Sequence, residues 1–319
     1  MNPTGKPTRV SETAGIVDTG LDVVTGAFSY SGRAIARELI DAGRSVRTLT
    51  GHPRRAPQDS AIDVHALAFD DQPALVRALE GATTLYNTYW VRFARERTDH
   101  ERAVTNTRAL FDAARRAGIQ RVVHISITHP SVDSPFPYFR GKALVERALV
   151  ETQLSHAILR PAILFGGEGV LINNIAWLLR HFPVFAIGGD GQYRVRGIHV
   201  DDLARICVQK AAERSDSVTD AVGPERPTFW ELVDAIRQTV GSRAHLIRVP
   251  GAAVPVLSQL IGVGLRDVIL TRDEYRALAA GLADTDGPAT GTTALSDWLR
   301  TQRDSLGVDY ANELRRHFD

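Results

Sequence analysis

A tyrosine and a lysine stand four residues apart, Tyr138 and Lys142, within the stretch PYFRGKALVE. Residues at this spacing share one face of an α-helix and lie about one turn from each other. An ammonium group beside a phenol stabilises the phenolate and lowers its pKa from about 10 toward neutrality. The pair is therefore expected to exchange a proton with a carbonyl oxygen, with Tyr138 as acid or base and Lys142 as its electrostatic support.

A glycine turn near the beginning of the chain is the second candidate site. Residues 22–33 are DVVTGAFSYSGR, in which Gly26 interrupts a β-branched run. From Gly32 onward, apolar residues recur at three- and four-residue spacing, which indicates a helix. The first backbone N–H groups of such a helix are unpaired at the positive end of its dipole. The turn is therefore predicted to bind the pyrophosphate of a dinucleotide.

Strand and helix patterns alternate along the chain after this turn. They predict strands over residues 45–50, 62–69, 83–90, 120–128 and 157–166, and helices over residues 73–79, 100–118 and 171–185. This alternation is typical of an α/β fold in which helices cover both faces of a parallel sheet.

Composition and charge exclude several classes of protein. With 38 basic and 37 acidic residues among 319, the chain has no electrostatic basis for nucleic acid or an anionic membrane as its main partner. Cys207 is the only cysteine, so an intrachain disulfide or a cysteine-based zinc site is excluded, which is typical of the cytoplasm. Residues 251–265 are apolar but too short to span a bilayer, and we expect a surface helix or a partner-binding segment there.

Together these features resemble the extended and atypical members of the short-chain dehydrogenase/reductase superfamily. Relatives of this type include epimerase/dehydratase-like, nitrogen-metabolite-repressor-like and complex I accessory-subunit-like proteins. Their first turn is T-G-x-x-G-x-x-G, which Thr25, Gly26 and Gly32 match, whereas Ser29 replaces the middle glycine. The resemblance extends over residues 22–241 and implies a Rossmann-type doubly wound parallel sheet with a smaller C-terminal substrate lobe.

The resemblance also implies a division of the chain and a cofactor site. We expect a flexible leader over residues 1–20, an NAD(P)-binding core over 21–165, and a substrate lobe with late core elements and C-terminal helices over 166–319. Cofactor contacts are expected from the first turn, the strand ends and the catalytic helix: Thr25, Gly26, Phe28, Ser29, Tyr30, Ser31, Gly32, Arg47, Arg54, Asp70, Lys142 and Pro161. For Asp70, contact with the adenine amino group and capping of the following helix are equally open.

The end of the second predicted strand bears on the choice of cofactor. NAD-binding relatives place a carboxylate there for the ribose hydroxyls, but residues 50–55 are TGHPRR. A guanidinium pairs with a 2′-phosphate, which a carboxylate would repel. NADP is therefore predicted, with NAD as the alternative. Arg47, Arg54 and Arg55 are the candidate ligands and Arg33 is a further one.

The remaining site residues are implied by the same resemblance. Relatives end the fifth strand with a Ser-Ser or Ser-Thr pair that holds the substrate oxygen, whereas this chain has Ser126 and Ile127. Ser126 and Thr128, two residues apart on one face of a strand, are the candidates for that role. Asn106 is expected to brace the active site. Arg196, in a segment similar to R-D-Y-I-H-V-D-D-x-A of sugar-nucleotide epimerases, is expected to face a substrate phosphate.

Three functions follow from these residues. The first is a cytoplasmic NADP-dependent oxidoreductase that acts on a small carbonyl or alcohol through the Tyr–Lys pair. The second is a nucleotide-sugar epimerase or dehydratase that recycles its NAD(P). The third is a non-catalytic NADPH-binding sensor or structural subunit. The expected partner is a small-molecule substrate without a metal, and a homodimer is left open.

Overall fold

Seven parallel strands form the central sheet of the computed structural model, which describes residues 20–57, 59–92 and 99–312. In chain order the strands are β1 (Leu21–Thr25), β2 (Ser45–Thr50), β3 (Asp63–Ala66), β4 (Ala82–Asn87), β5 (Arg121–Ile125), β6 (Ser155–Pro161), β7 (Ile163–Phe165), β8 (Val184–Gly188), β9 (Gly197–His199), β10 (Ser217–Ala221) and β11 (His245–Val249). The helices are α1 (Tyr30–Asp41), α2 (Gln72–Leu79), α3 (His100–Arg116), α4 (Pro137–Glu151), α5 (Val170–His181), α6 (Val200–Ala212), α7 (Phe229–Thr239), α8 (Ala253–Leu265), α9 (Arg272–Ala279) and α10 (Leu295–Thr301). Apart from Gly20, the predicted leader lies outside the described residues.

The order of the strands in the central sheet is β10-β6-β5-β4-β1-β2-β3. The chain therefore proceeds outward from β1 in one direction and, from β4 onward, in the other. In open α/β sheets a crevice forms at the carboxyl ends of the strands where this reversal occurs. The predicted Rossmann-type α/β fold is confirmed, and the glycine turn after β1 lies at the reversal point.

Helices cover both faces of the sheet. Val23 and Val24 are adjacent in β1 and completely buried, but they belong to different apolar clusters. Val24 packs in the layer of α1 and α6, whereas Val23 packs with residues of α2, α3 and α4. A strand buried on both faces requires a continuous apolar run, which is why β1 lacks the polar alternation of a half-exposed strand.

A third apolar cluster holds the C-terminal lobe together. It includes Phe165, Ile175, Leu232, Val233 and Leu299 from β7, α5, α7 and α10. Two small parallel sheets, β8 with β11 and β7 with β9, lie outside the central sheet. The sequence pattern of residues 228–231 predicts a capping box for α7, and the structure confirms it with both bonds between Thr228 and Glu231.

The predicted fourth strand runs three residues too far. β4 ends at Asn87, because the hydroxyl of Thr25 accepts hydrogen bonds from the backbone N–H groups of Thr88, at 2.8 Å, and Tyr89, at 3.1 Å. These bonds take the chain out of the strand ladder and across the end of β1. Residues that alternate like a strand therefore form a loop at the crevice.

Two other predicted elements are divided differently. The strand predicted over residues 157–166 is split at Ala162 into β6 and β7, since β7 pairs with β9 rather than with the central sheet. The helix predicted over residues 171–185 stops at His181, and Val184 already belongs to β8. Pro183 explains this end, because proline disfavours a helical conformation of the residue before it.

Residues 251–265 contain the expected surface helix, α8. Leu260 and Val263 on this helix are 67% and 75% exposed, so one of its apolar faces is directed to solvent. Across the three described ranges, none of the helices has the length and apolarity needed to cross a bilayer.

Candidate functional site

The glycine turn between β1 and α1 is tight, and its backbone lies close to the first turn of α1. Gly26 has a φ of +67°, and its N–H donates to the carbonyl of Leu49 at 2.8 Å. A Cβ at Gly32 would lie 2.1 Å from the carbonyl oxygen of Gly26, far inside van der Waals contact. The turn and the first turn of α1 therefore touch at a position where only glycine fits.

Ser29, the departure from the family pattern, is turned into the loop. Its hydroxyl donates to the carbonyl of Gly26 at 2.6 Å, and its side chain does not cap α1. The first turn of α1 also contains no acidic residue. The positive end of the helix is thus left for an anion, and the turn fits the diphosphate of a dinucleotide.

A cleft of about 1670 Å³ begins at this turn and extends toward the C-terminal lobe. Six of the predicted cofactor residues line it: Thr25, Gly26, Phe28, Ser29, Tyr30 and Ser31. The loop after β4, the first turns of α4 and residues 270–274 of the C-terminal part complete its walls. Tyr138 also lines this cleft, whereas Lys142 does not.

Tyr138 lies among aromatic rings. The centroids of its ring and those of Trp90 and His100 are each 5.7 Å apart, with edge-to-face geometry. Burial raises the pKa of the Tyr138 phenol, with a smaller lowering contribution from Arg92. The expectation that a neighbouring ammonium lowers this pKa is therefore wrong for the structure as it stands, and the phenol is protonated at neutral pH.

Lys142 explains this difference. Its Nζ donates to the carbonyl of Ile125 at 2.8 Å and lies 4.7 Å from the centroid of the Trp90 ring. Burial lowers the pKa of Lys142 to about 7, although Glu146 acts in the opposite direction. A lysine in this state carries only part of its charge at neutral pH, and its charge therefore provides little support to the phenol.

Trp90 contacts both Lys142 and Tyr138. Its ring lines the cleft and packs so closely on α4 that a Cβ at Gly141 would lie 2.8 Å from its Cη2 atom. Its Nε1 atom is buried and has no hydrogen-bond partner within the described ranges. Trp90 thus presents one face to the ammonium of Lys142 and its edge to the ring of Tyr138.

The two candidate hydroxyls after β5 have different environments. Thr128 donates to the carbonyl of Leu282 at 2.8 Å and so joins the core to the C-terminal lobe. Ser126 is 4% exposed, and its Oγ has no partner among the residues described. Ile127, between them, lines the cleft, whereas neither hydroxyl residue does. Their predicted role in holding a substrate oxygen stays a prediction.

The arginines predicted to bind a 2′-phosphate lie in different places. Arg47 donates to the carboxylate of Asp63 at 2.7 Å and to two carbonyls at the end of α2, outside the cleft. Arg54 lies on an exposed 3₁₀ turn directly after β2, and Arg33 lines the cleft beside Glu168 at 2.9 Å. Of these three arginines, Arg33 lines the cleft, whereas Arg47 and Arg54 do not.

Asp70 is placed on the surface. Its side chain is 91% exposed and lies 3.5 Å from Arg102. The alternative in which Asp70 caps the following helix is wrong, because Asp71 caps α2 by accepting from the N–H of Ala74 at 3.0 Å. Contact between Asp70 and adenine stays a prediction.

Two further predicted residues have clear partners. Asn106 donates to the hydroxyl of Tyr89 at 2.9 Å and so supports a residue of the cleft wall. Arg196 is 4% exposed and donates to the backbone carbonyls of Gly223, Thr285 and Gly287. Its guanidinium is engaged with the backbone, which does not support a contact with a substrate phosphate.

Comparison with known proteins identifies the N-terminal half. Residues 26–176 match the family model described as NAD(P)H-binding. This part of the chain is an NAD(P)H-binding domain. The domain contains the glycine turn, Tyr138 and Lys142, and the predicted resemblance to NAD(P)H-binding and complex I accessory-subunit-like proteins is confirmed.

Curated relatives extend beyond the NAD(P)H-binding domain. The chain is 25% identical over 259 residues to the mitochondrial NADH dehydrogenase (ubiquinone) 1 alpha subcomplex subunit 9 of Arabidopsis thaliana. This alignment covers 75% of this chain but only 62% of that protein. The chain is 26% identical over 302 residues to 4-hydroxy-2-methyl-3-oxo-4-farnesyl-3,4-dihydroquinoline-1-oxide ketoreductase of Stigmatella aurantiaca, covering 79% of this chain and 89% of that one. The first of these matches spans less than two thirds of the relative.

A solved structure shows the same fold. The NADPH-dependent quinone oxidoreductase QOR2 of Escherichia coli, complexed with NADPH, superposes with a TM-score of 0.72 at 18% identity. The match covers 88% of this chain and 99% of that one. At this identity the likeness establishes the fold alone.

Several residues around the NAD(P)H-binding domain were not predicted from the sequence. Arg92 pairs with Glu274 at 2.8 Å, and residues 270–274, which the sequence assigns only generally to the substrate lobe, line the cleft. Contacts between such distant residues leave no periodic pattern. The contact between Trp90 and α4 does have a local signal in Gly141, because an isolated glycine within a helix often marks a close packing contact.

Proposed function

We propose that this chain is an NADPH-dependent reductase that converts a carbonyl compound to an alcohol. The observation that carries the proposal is that Tyr138 and the glycine turn line one continuous cleft. Bound NADPH would supply a hydride for the carbonyl carbon. The relative from Stigmatella aurantiaca is named a ketoreductase, and the fold is shared with an NADPH-dependent oxidoreductase, which supports this class of reaction.

Different residues would bind the cofactor and donate the proton. The uncapped N-terminus of α1 and the backbone of residues 26–32 would hold the diphosphate. Tyr138, which is protonated at neutral pH because burial raises its pKa, would donate a hydrogen bond to the carbonyl oxygen and then its proton. This state of the phenol favours reduction, since oxidation of an alcohol requires a base at the same position.

The preference for NADPH rests on the end of β2. Residues 50–55 contain no carboxylate, and Arg54 is exposed on the turn that follows. A guanidinium there would pair with the 2′-phosphate through two parallel hydrogen bonds. Arg33, which lines the cleft, would contribute a second positive charge.

The Tyr138→Phe variant tests the proposal. NADPH oxidation is followed by absorbance with a panel of ketones and quinones, and NADPH affinity is measured separately by calorimetry. We expect turnover to fall about 100-fold or more while the Kd for NADPH stays within twofold. The control is Tyr310→Phe, at a tyrosine that is bonded to Asp267 and does not line the cleft. Unchanged turnover in Tyr138→Phe would refute the role of the phenol.

A second candidate is an NADPH-binding protein without turnover. The bond from Lys142 to the carbonyl of Ile125, and the isoleucine where relatives have a hydroxyl, both favour it. The Arabidopsis thaliana relative is named as a subunit of a larger assembly, which is consistent with a structural role. Tight NADPH binding with no oxidation by any acceptor of the panel would support this candidate over the reductase.

A further inference from the structure

A second cavity, which we call the apolar chamber, lies in the C-terminal lobe and has a volume of about 480 Å³. Helices α5 and α8, strands β8 and β11, and residues 268–278 surround it. Its walls are almost entirely apolar side chains, such as those of Leu178, Phe185, Val249, Val254 and Ile261. Asn174, one of the few polar residues in the wall, is bonded through both ends of its amide to the backbone of Ala311.

The apolar chamber adjoins the cleft. Leu171, Leu270 and Leu278 line both cavities, and so does Arg92. Arg92 pairs with Glu274, which lines the cleft, so a charged pair lies where the two cavities meet. A ligand that extended from the cleft into the apolar chamber would pass this pair and then meet walls that are almost entirely apolar.

The apolar chamber also reaches the surface. Phe182, Val184 and Ile247 line it and are 41%, 44% and 42% exposed, respectively. The cavity therefore adjoins the cleft on one side and is open to solvent on another. An elongated occupant fits such a passage better than a compact one.

We propose that the apolar chamber binds the hydrocarbon tail of an amphiphilic substrate whose polar head reaches Tyr138 in the cleft. The volume lies within the range of about 300–1000 Å³ that is typical of small-molecule sites. A polar ligand would lose its hydrogen bonds to water there without replacing them, whereas a hydrocarbon tail loses none. The chemistry at the head rests on the proposed reductase function, but the binding of the tail rests on the chamber alone.

A series of 2-alkyl-1,4-benzoquinones, from methyl to decyl, tests this inference by isothermal titration calorimetry with the full chain. We expect the Kd to fall about fourfold for each added methylene until the apolar chamber is filled. Ile261→Trp, which fills the chamber from α8, should weaken decylbenzoquinone binding at least tenfold and methylbenzoquinone binding less than twofold. Leu260→Trp is the matched control on the same helix, because Leu260 is 67% exposed and does not line the chamber.

Affinity in the wild-type protein that does not depend on chain length overturns the inference, whatever the variants do. Equal losses in Ile261→Trp and Leu260→Trp also overturn it. The two proposals fail separately. Length-dependent binding without NADPH oxidation by any quinone would leave the chamber in place and refute the reductase. NADPH-dependent reduction of all quinones, with affinities independent of length, would refute the tail site alone.

Discussion

At the scale of single residues, Tyr138 and Lys142 show how burial changes the pKa values that the spacing of a motif leads one to expect. Spacing places both side chains on one helix face, and charge proximity alone would make the phenol acidic. In the structure, Lys142 donates to a backbone carbonyl under the ring of Trp90, and burial shifts the pKa of each group toward its neutral form. The motif thus supplies a neutral acid, which suits reduction.

The pKa of Lys142 predicts a specific dependence of stability on pH. Burial lowers it to about 7, whereas a lysine in the unfolded chain titrates near 10.4. Between these values the unfolded state binds more protons, so the free energy of unfolding rises with pH, by roughly 1.4 kcal/mol per pH unit for this group. The free energy of unfolding is measured by urea denaturation for the wild type and for Lys142→Met. The difference between the two values should rise in this way between about pH 7.5 and 10.

The control for this measurement is Lys210→Met, at a surface lysine beside Glu213. This variant should keep the pH dependence of the wild type. A difference between wild type and Lys142→Met that is flat over the same pH range would contradict the assignment of a buried, mostly neutral lysine.

The choice between cofactors is also decided by single side chains. Arg54→Ala should weaken NADPH binding about tenfold and leave NADH binding within twofold, because only NADPH carries the 2′-phosphate. Arg47→Ala should not change the ratio of the two affinities, since its guanidinium is bonded to Asp63 and to carbonyls at the end of α2. Equal losses for NADPH and NADH in Arg54→Ala would show that Arg54 does not contact the phosphate. Calorimetric titrations of both nucleotides provide the measurement.

At the scale of elements, the junction of β1 and α1 depends on one contact between backbones. Gly32 approaches the carbonyl of Gly26 so closely that no Cβ fits between them, and this approach aims the N-terminus of α1 at the cleft. The glycine pattern alone made this element predictable. The position of Ser29 was not predictable in the same way, because its hydroxyl could have pointed into the cleft rather than to Gly26.

Gly32→Ala should therefore act on the fold and on cofactor binding together. We expect a loss of about 2–4 kcal/mol in the free energy of unfolding and at least a tenfold weaker NADPH affinity, because α1 must move to admit the methyl group. Gly264→Ala is the control on α8, outside the cleft, where a Cβ would also meet nothing within 4 Å. Chemical denaturation and NADPH titration of the two variants provide the comparison. Wild-type behaviour of Gly32→Ala would show that the turn tolerates a wider spacing than the structure has.

At the scale of the whole molecule, the C-terminal residues are held by contacts with residues far away in the sequence. Leu282 accepts from Thr128, Asp284 pairs with Arg226 at 2.6 Å, and the N–H groups of Thr292 and Thr293 donate to Asp202. The alternation of strands and helices was enough to predict six of the seven strands of the central sheet, all except β10, since each of these elements is defined locally. The contacts of the C-terminal residues link residues far apart, and no local pattern in the sequence encodes them.

Arg196 is the clearest example of such a contact, and it distinguishes two of the predicted functions. In a sugar-nucleotide epimerase it would bind a substrate phosphate, but here it is buried and donates to Gly223, Thr285 and Gly287. Arg196→Ala should leave these three carbonyls without the guanidinium and cost about 2–4 kcal/mol in the free energy of unfolding, because the carbonyl of Gly223 is buried. Arg196→Lys should recover only part of this loss, because an ammonium cannot reproduce the planar fork of a guanidinium.

The kinetics of Arg196→Lys separate the structural role from a substrate contact. If Arg196 only joins the lobe to the core, the KM for the accepted substrate should stay within twofold under conditions where the variant is folded. The control is Arg194→Ala, at an exposed neighbour that donates to a single carbonyl, that of Arg226. Full wild-type stability in Arg196→Lys together with a large rise in KM would instead place the guanidinium at the substrate and favour epimerase-like chemistry. A structural arginine predicts the opposite combination, because its replacement leaves the carbonyls of Gly223, Thr285 and Gly287 without the donor they have in the wild type.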